Sequence, residues 1–203
     1  MMKNSAAAKL RRLLSDDKLI VMPCCFDPLS AKLIEQEGFT VTFMSGFSVA
    51  AARLGVPDVG LISYSEILDQ GRNICDAVSI PVIGDADTGY GNALNIRRTV
   101  QGFSKAGFSA VMIEDQVAPK RCGHTNGKSV VSREDAYKRI KAAVDTRTDS
   151  GDDILILART DARHVHGLNE AIDRALRFHE IGADILFVEA PTNEVEMRQI
   201  CKE

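Results

Sequence analysis

The sequence has no CxxC pair, no run of basic residues and no GxGxxG, and nothing in it approaches a span of about 20 apolar residues. Each absence removes a class. The five cysteines, Cys24, Cys25, Cys75, Cys122 and Cys201, are odd in number and two are adjacent, which argues against a disulfide framework or a zinc knuckle and for a reducing compartment. With 25 Lys and Arg against 28 Asp and Glu, the net charge of −3 offers no electrostatic footprint for nucleic acid. The opening MMKNSAAAKLRRLLSDDK is too polar for a secretory signal, and no membrane partner is expected. It reads as a short amphipathic helix with Leu10, Leu13 and Leu14 on one side. No Pro/Ser-rich linker divides the 203 residues, and 45% hydrophobic content predicts one globular domain, 1–203, with a sizeable core.

What is present is a recurring pattern: a helix-like stretch, a glycine, then an apolar run that ends on polar residues. It appears as EGFTVTFMSG (37–46), AGFSAVMIED (106–115) and IGADILFVEA (181–190). Gly38, Gly107 and Gly182 fall where a helix C-terminus favours positive φ. The apolar runs predict strands at 19–26, 40–45, 80–84, 109–113, 153–158 and 184–188. Between them, Ser63 with Glu66 forms a capping-box pattern, Asn92 is a good N-cap, and Ser132 precedes a helical EDAYKRIKAAV. Continuous apolar strands alternating with helices predict a parallel sheet covered by helices.

Six strands fit an open doubly wound sheet or a (β/α)8 TIM barrel cut short after about six βα units. Chemistry at nearly every strand end favours the barrel: Ser45 and Gly46, Asp85 and Asp87, Glu114 and Asp115, Arg159 and Asp161, Glu189. A full barrel takes about 250 residues, so strands seven and eight are expected to be lacking.

DADTGYGN, residues 85–92, ends one such strand with two acids two residues apart, which regular pleating puts on one face. With Glu114 and Asp115 on the next strand, the repulsion calls for a cation. Hard oxygen ligands without His or Cys suit Mg²⁺ or Mn²⁺. The alternative is that these acids cap helices or pair with Arg97, Arg98 or Arg159. A second element, APKRCGHTNGK (118–128), has the composition of a mobile active-site loop. In it Lys120, Arg121 and His124 flank Cys122, which favours thiolate or proton-transfer chemistry.

DADTGYGN, followed by IEDQ (113–116) and KRCGH (120–124), resembles the isocitrate lyase and phosphoenolpyruvate mutase superfamily. SGFSVAAARLGVPDVGLIS (45–63) and ARTDA (158–162) resemble further segments of it, so the likeness spans about residues 20–195. KRCGH resembles the carbon–carbon lyase branch, which includes 2-methylisocitrate and 2,3-dimethylmalate lyases.

The resemblance implies a barrel enzyme that cleaves a 2-hydroxy di- or tricarboxylate by retro-aldol/Claisen chemistry. In that scheme Asp85, Asp87 and Glu114 hold Mg²⁺. Ser45, Gly46 and Phe47 hold the α-oxyacid end of the substrate, Arg159 binds a carboxylate, and Glu189 completes the polar wall. Asp58 lies near the reacting end, Gly123 and His124 clamp the substrate, and Cys122 delivers a proton, with Lys120 and Arg121 beside it. The resemblance also implies a homo-oligomer, tetrameric in full-length relatives, in the cytoplasm or, in a eukaryote, the mitochondrial matrix. Oxaloacetate hydrolysis or decarboxylation, phosphonomutase chemistry and an inactive truncated paralogue are the alternatives. The family carries Tyr where this chain has Phe43, which leaves the general base unassigned. His164, His166 and His179 read as surface or structural residues, with HVH in a loop. Cys24, Cys25, Met22, Met44 and Met112 read as core.

Overall fold

A computed structural model describes residues 5–203, apart from residue 124. The chain order is α1 (Ala6–Leu14), β1 (Cys24–Cys25), α2 (Pro28–Gln36), β2 (Thr42–Met44), α3 (Gly46–Leu54), α4 (Tyr64–Ala77), β3 (Val82–Asp85) and α5 (Ala93–Lys105). It continues through β4 (Ala110–Glu114), α6 (Arg133–Ser150), β5 (Leu155–Thr160), α7 (Ala162–His166), α8 (Leu168–Ile181), β6 (Ile185–Val188) and α9 (Glu194–Lys202). The six strands are parallel and pair in chain order, β1 to β6, the arrangement of a (β/α) barrel. Among the described residues β1 and β6 each pair on one side only.

Strand period 2 sorts side chains into two layers. Ile83, Ala110, Met112, Leu155 and Leu157 pack with Phe43 and Ile185 on the inner face, where Ala7 and Leu10 of α1 close the N-terminal end. The opposite residues, Val82, Val111, Ile113, Ile156 and Ala158, pack outward against the helices, with Phe103, Ile67, Ile74 and Phe178. Continuing the inner parity past the C-terminal ends of the strands reaches Asp85 and Asp87, Glu114, Arg159 and Asp161, and Glu189. The pleat that builds the core therefore also delivers the polar rim.

The expected helix punctuation is present. Ser63 and Glu66 form the capping box, and Asn92 and Ser132 are N-caps. Gly38, Gly107 and Gly182 have φ of 85°, 96° and 111°. Several expectations need correction. Only Cys24–Cys25 of the predicted 19–26 strand pairs: the segment lies at the sheet edge, Pro23 has no N–H to offer, and Leu19 is 92% exposed. For the same reason Met22 and Cys24 are exposed, while Cys25, Met44 and Met112 are core. HVH belongs to the helix α7, not a loop, though His164, His166 and His179 are on the surface as expected. Leu10 is buried but Leu14 is exposed, so only part of the α1 stripe is used.

Candidate active site

The inner rim gathers six carboxylates, Asp58, Asp85, Asp87, Glu114, Asp161 and Glu189, all buried, against three buried cations, Lys120, Lys128 and Arg159. Asp85 ends β3. Its Oδ2 accepts from Gly46 N at 3.1 Å and its Oδ1 from Asp87 N at 3.0 Å. Asp87 sits just beyond the strand with φ 48°, a strained left-handed conformation. Lys120 Nζ lies 2.7 Å from both Asp58 Oδ2 and Asp87 Oδ1. The contact with Asp87 is a close ion pair, and among the described residues no other group answers Asp87 Oδ1.

Burial, with Asp85 alongside, pushes the Asp87 carboxyl up to about 7 despite Lys120. Burial likewise raises Glu114, and Arg159 offsets this only in part. Burial opposes the charge of Lys120, but Asp85, Asp87, Glu114 and Asp58 outweigh it and hold its pKa above the usual lysine range. The site carries more negative charge than its own cations neutralise.

Arg159, at the end of β5, is the hub of the other wall. Its Nε and Nη2 each donate to Asp161 at 3.0 Å. Glu114 Oε2 and Glu189 Oε2 lie 3.3 Å from its nitrogens, and the Phe187 ring lies 5.5 Å below it. Burial opposes the guanidinium charge, and Glu114, Asp161 and Glu189 outweigh it. Glu114 Oε1 remains buried without a hydrogen-bond partner.

The loop after β4 folds over this rim. The Gln116 side chain accepts from Arg121 N at 3.0 Å and donates to Arg121 O at 2.9 Å. Cys122 N donates to Asp58 O at 3.1 Å. A cavity of about 380 Å³ lies beneath the loop, lined by Phe43, Ser45, Phe47, Asp58, Asp85, Lys120, Cys122, Gly123, Thr125, Arg159 and Glu189. The Cys122 thiol is half-buried at its edge. Nine of the sequence-derived site residues thus share one chamber: Ser45, Phe47, Asp58, Asp85, Lys120, Cys122, Gly123, Arg159 and Glu189.

Others are placed differently. Gly46 N–H is committed to Asp85, and a Cβ there would lie 2.8 Å from Asp85 Oδ2, so Gly46 seats a carboxylate instead of facing the cavity. Arg121 is exposed and does not line the chamber. His124 lies outside the described residues. Asp115 has the opposite pleat parity to Glu114. It faces the helix layer, accepting from Thr160 Oγ1 at 2.7 Å, Asp161 N at 2.9 Å and Arg174 Nη1 at 3.0 Å. It is a structural acid and adds nothing to the rim. Arg97 pairs with Asp149 and Arg98 lies over Tyr64, so neither answers the rim acids, whereas Arg159 does.

Among the described residues no three acid, His or Cys side chains are already gathered about one point. The donor set still fits a hard divalent cation. Asp85, Asp87 and Glu114 are neighbouring carboxylates, Glu114 Oε1 is buried without a hydrogen bond, and Asp87 Oδ1 has only the Lys120 ammonium beside it. Asp161, read in the sequence only as part of the strand-end chemistry, and Lys128, which sequence reasoning missed, tie the loop to the hub.

A strand-ordered parallel sheet with buried acids and a cysteine-bearing loop at its C-terminal rim defines a (β/α) barrel of the kind whose active sites sit at that rim. A family model described as phosphoenolpyruvate phosphomutase matches residues 10–203. The chain belongs to the phosphoenolpyruvate mutase/isocitrate lyase superfamily. It is 47% identical over 196 residues to 2,3-dimethylmalate lyase of Eubacterium barkeri, covering 97% of this chain and 67% of that one. It is 45% identical over 193 residues to 2-methylisocitrate lyase of Aeropyrum pernix, covering 95% and 61%. Among solved structures, phosphonopyruvate hydrolase in complex with oxalate and Mg²⁺ superposes with a TM-score of 0.86 at 34% identity, covering 98% of this chain and 68% of that one. The chain thus spans about two thirds or less of the length of these relatives. Among the described residues no helix is long and apolar enough to cross a membrane.

Proposed function

We propose that this chain carries the metal and cysteine-loop portion of a Mg²⁺-dependent carbon–carbon lyase acting on a 2-substituted malate or 2-methylisocitrate type of substrate. The observation that carries this reading is the Cys122 thiol at the edge of a chamber that also holds Asp85, Arg159 and Glu189. Asp85, Asp87 and Glu114 would hold Mg²⁺, or Mn²⁺, through carboxylate lone pairs that their present partners do not use. When bound, the ion supplies Lewis-acid stabilisation of negative oxygen.

The chain's own groups do the rest. The Arg159 guanidinium, oriented by Asp161 through Nε and Nη2, would meet a substrate carboxylate with its remaining Nη hydrogens. Ser45, whose hydroxyl caps α3 by accepting from Ser48 N, lines the same space. The substrate's 2-hydroxyl passes its proton to a carboxylate of the chamber, Asp58 or Glu189, and becomes the carbonyl of an α-keto acid as the C2–C3 bond breaks. The electron pair goes to C3, forming the enediolate of the departing carboxylate. Cys122 gives its proton to C3. Burial beneath the loop limits competing protonation by water. Phe43, with no hydroxyl, takes no part in proton transfer. An oligomer and a cytoplasmic setting belong to the same reading.

The test is release of pyruvate or glyoxylate from a panel of 2-substituted malates and 2-methylisocitrate, with oxaloacetate and phosphonopyruvate as comparison substrates. Cys122→Ser is expected to lower kcat by roughly 10²-fold or more, the usual weight of positioned acid catalysis. Its Mg²⁺-dependent rise in Tm is expected to persist. Undiminished turnover by Cys122→Ser, or hydrolysis of oxaloacetate to oxalate and acetate with no cleavage of the malates or of 2-methylisocitrate, would overturn the lyase reading.

A further inference from the structure

Lys128 lies at the far end of the loop, on its way back to α6, and has no part in the reaction just described. Yet its side chain is fully buried, 0% exposed. A lysine is seldom buried unless its charge is answered. Here Nζ pairs with Asp161 Oδ1 at 3.2 Å and donates to the carbonyl oxygen of Gly123. Asp161, also 0% exposed, spends the rest of its carboxylate on Arg159. On its other side Gly123 packs so close that a Cβ would lie 2.5 Å from Arg159 Nη2 and 2.6 Å from Glu189 Oε1. Gly123 is therefore gripped from behind by Lys128 and stopped in front by Arg159, while Cys122 N–H is held by Asp58 O.

We infer that Lys128 is a positioning residue: through Asp161 and the Gly123 carbonyl, it latches the cysteine loop onto the guanidinium that reads the substrate carboxylate. Asp161 is the shared element. Its two oxygens bind the loop's lysine and the site's arginine at once, so the pose of Arg159 and the closure of the loop are coupled. The loop has two anchors of different kinds. Lys120 plugs into the acids on the β3 side and lines the chamber. Lys128 holds the β5 side from outside it. Without the second anchor, the described residues between Cys122 and Gly127 keep the Cys122 N–H bond to Asp58 O and the bonds from Thr125 N and Oγ1 to Cys122 O. The inference rests on the proposed function only in taking the chamber as the substrate site.

The test is turnover-independent. Cysteine alkylation by iodoacetamide is followed residue by residue in the wild type and in Lys128→Met, which keeps the aliphatic stem and removes the charge. Losing a charge-assisted hydrogen bond should open the loop enough to speed Cys122 alkylation about tenfold or more. Buried Cys25 and half-buried Cys75 should stay as slow as in the wild type, because Asp161 keeps Arg159 as a partner. A parallel rise at Cys25 and Cys75 would mean that Lys128 merely supports the fold, and an unchanged Cys122 rate would mean that it holds nothing; either result overturns the inference. A second measurement needs no variant. In the wild type, amine acylation should spare Lys128 as it spares Lys120, while Lys138, 64% exposed in its side chain, reacts. Lys128 labelling as fast as Lys138 would also overturn the latch, whatever the fate of the lyase reading.

Discussion

Gly123 is a residue whose lack of a side chain decides what the loop can reach. A methyl group there would have to displace Arg159 Nη2 or Glu189 Oε1, both held in a buried ion-pair cluster, and neither is a freely swinging end. The clash can be relieved more easily by lifting the loop, which is exposed over much of its length. Gly123→Ala is therefore expected to lower Tm only modestly, by about 2–4 °C for each kcal/mol lost, since the shift strains the Lys128 bond to the Gly123 carbonyl and spares the core. In the proposed reaction it should cut kcat/KM by about 10²-fold, because misplacement by about an ångström is costly at a reacting centre. A melting curve beside a turnover assay checks both halves, and normal turnover would contradict the described closeness of loop and guanidinium. The site acids were legible for a related reason. Period 2 carries Asp85, Glu114 and Arg159 to the inner face whatever the details of the fold. The same rule, applied one residue on, would have turned Asp115 outward, but the adjacency of two acids in IEDQ obscured it. Lys128 was not legible, because a lysine at the end of the 118–128 loop has no periodicity to fix it; only the folded loop brings it to Asp161.

At the scale of elements, Gly71 shows how a helix is seated on the sheet. It lies mid-way along α4, where glycine costs about 1 kcal/mol relative to alanine. An alanine Cβ, however, would meet Phe108 Cζ at 2.2 Å and Cε2 at 2.5 Å. Phe108 cannot swing aside, because it stacks on Phe103 at 4.6 Å between centroids and both rings are buried. Overpacking of this kind costs about 1–3 kcal/mol, or more where rings and backbone must both move, so it outweighs the gain in helix propensity. Gly71→Ala is expected to lower Tm, by about 2–4 °C for each net kcal/mol lost at this chain length. A rise in Tm on thermal denaturation would show that α4 can ride outward. The helix boundaries themselves were readable, since Ser63 with Glu66, Asn92 and Ser132 are local hydrogen-bonding devices that act within four residues. The first strand was not. Its run LIVMPCCF has strand composition, but pairing depends on a neighbour, and at the sheet edge only two residues find one. Composition reports what a segment could pair with and is silent on whether the partner is there.

At the scale of the whole molecule, the sheet presents two lateral edges and an open interior. Between β1 and β6 lies a second cavity of about 420 Å³ lined mainly by Met22, Cys24, Phe43, Met112, Leu157, Ile185, Leu186 and Phe187. Leu19 and Val21, 92% and 61% exposed, flank the β1 edge, and Leu186 and Phe187 are 38% and 40% exposed on β6. Unpaired backbone beside apolar side chains is a template for association. The net charge of only −3 supplies little repulsion to oppose it. The 203-residue chain is therefore expected to self-associate with rising concentration, and Leu19→Lys with Val21→Lys should weaken that association by placing charge on the edge. Both positions lie at the N-terminal side of β1, away from the chamber under the cysteine loop, so the Mg²⁺-dependent rise in Tm should be the same in the double variant. Sedimentation velocity across a concentration series separates the outcomes. A wild-type chain that stays monomeric throughout would mean that β1 and β6 cover each other in solution. An association that the two lysines leave untouched would move the sticky surface to the β6 side, where Leu186 and Phe187 stand beside Arg159 and would tie assembly to the site itself.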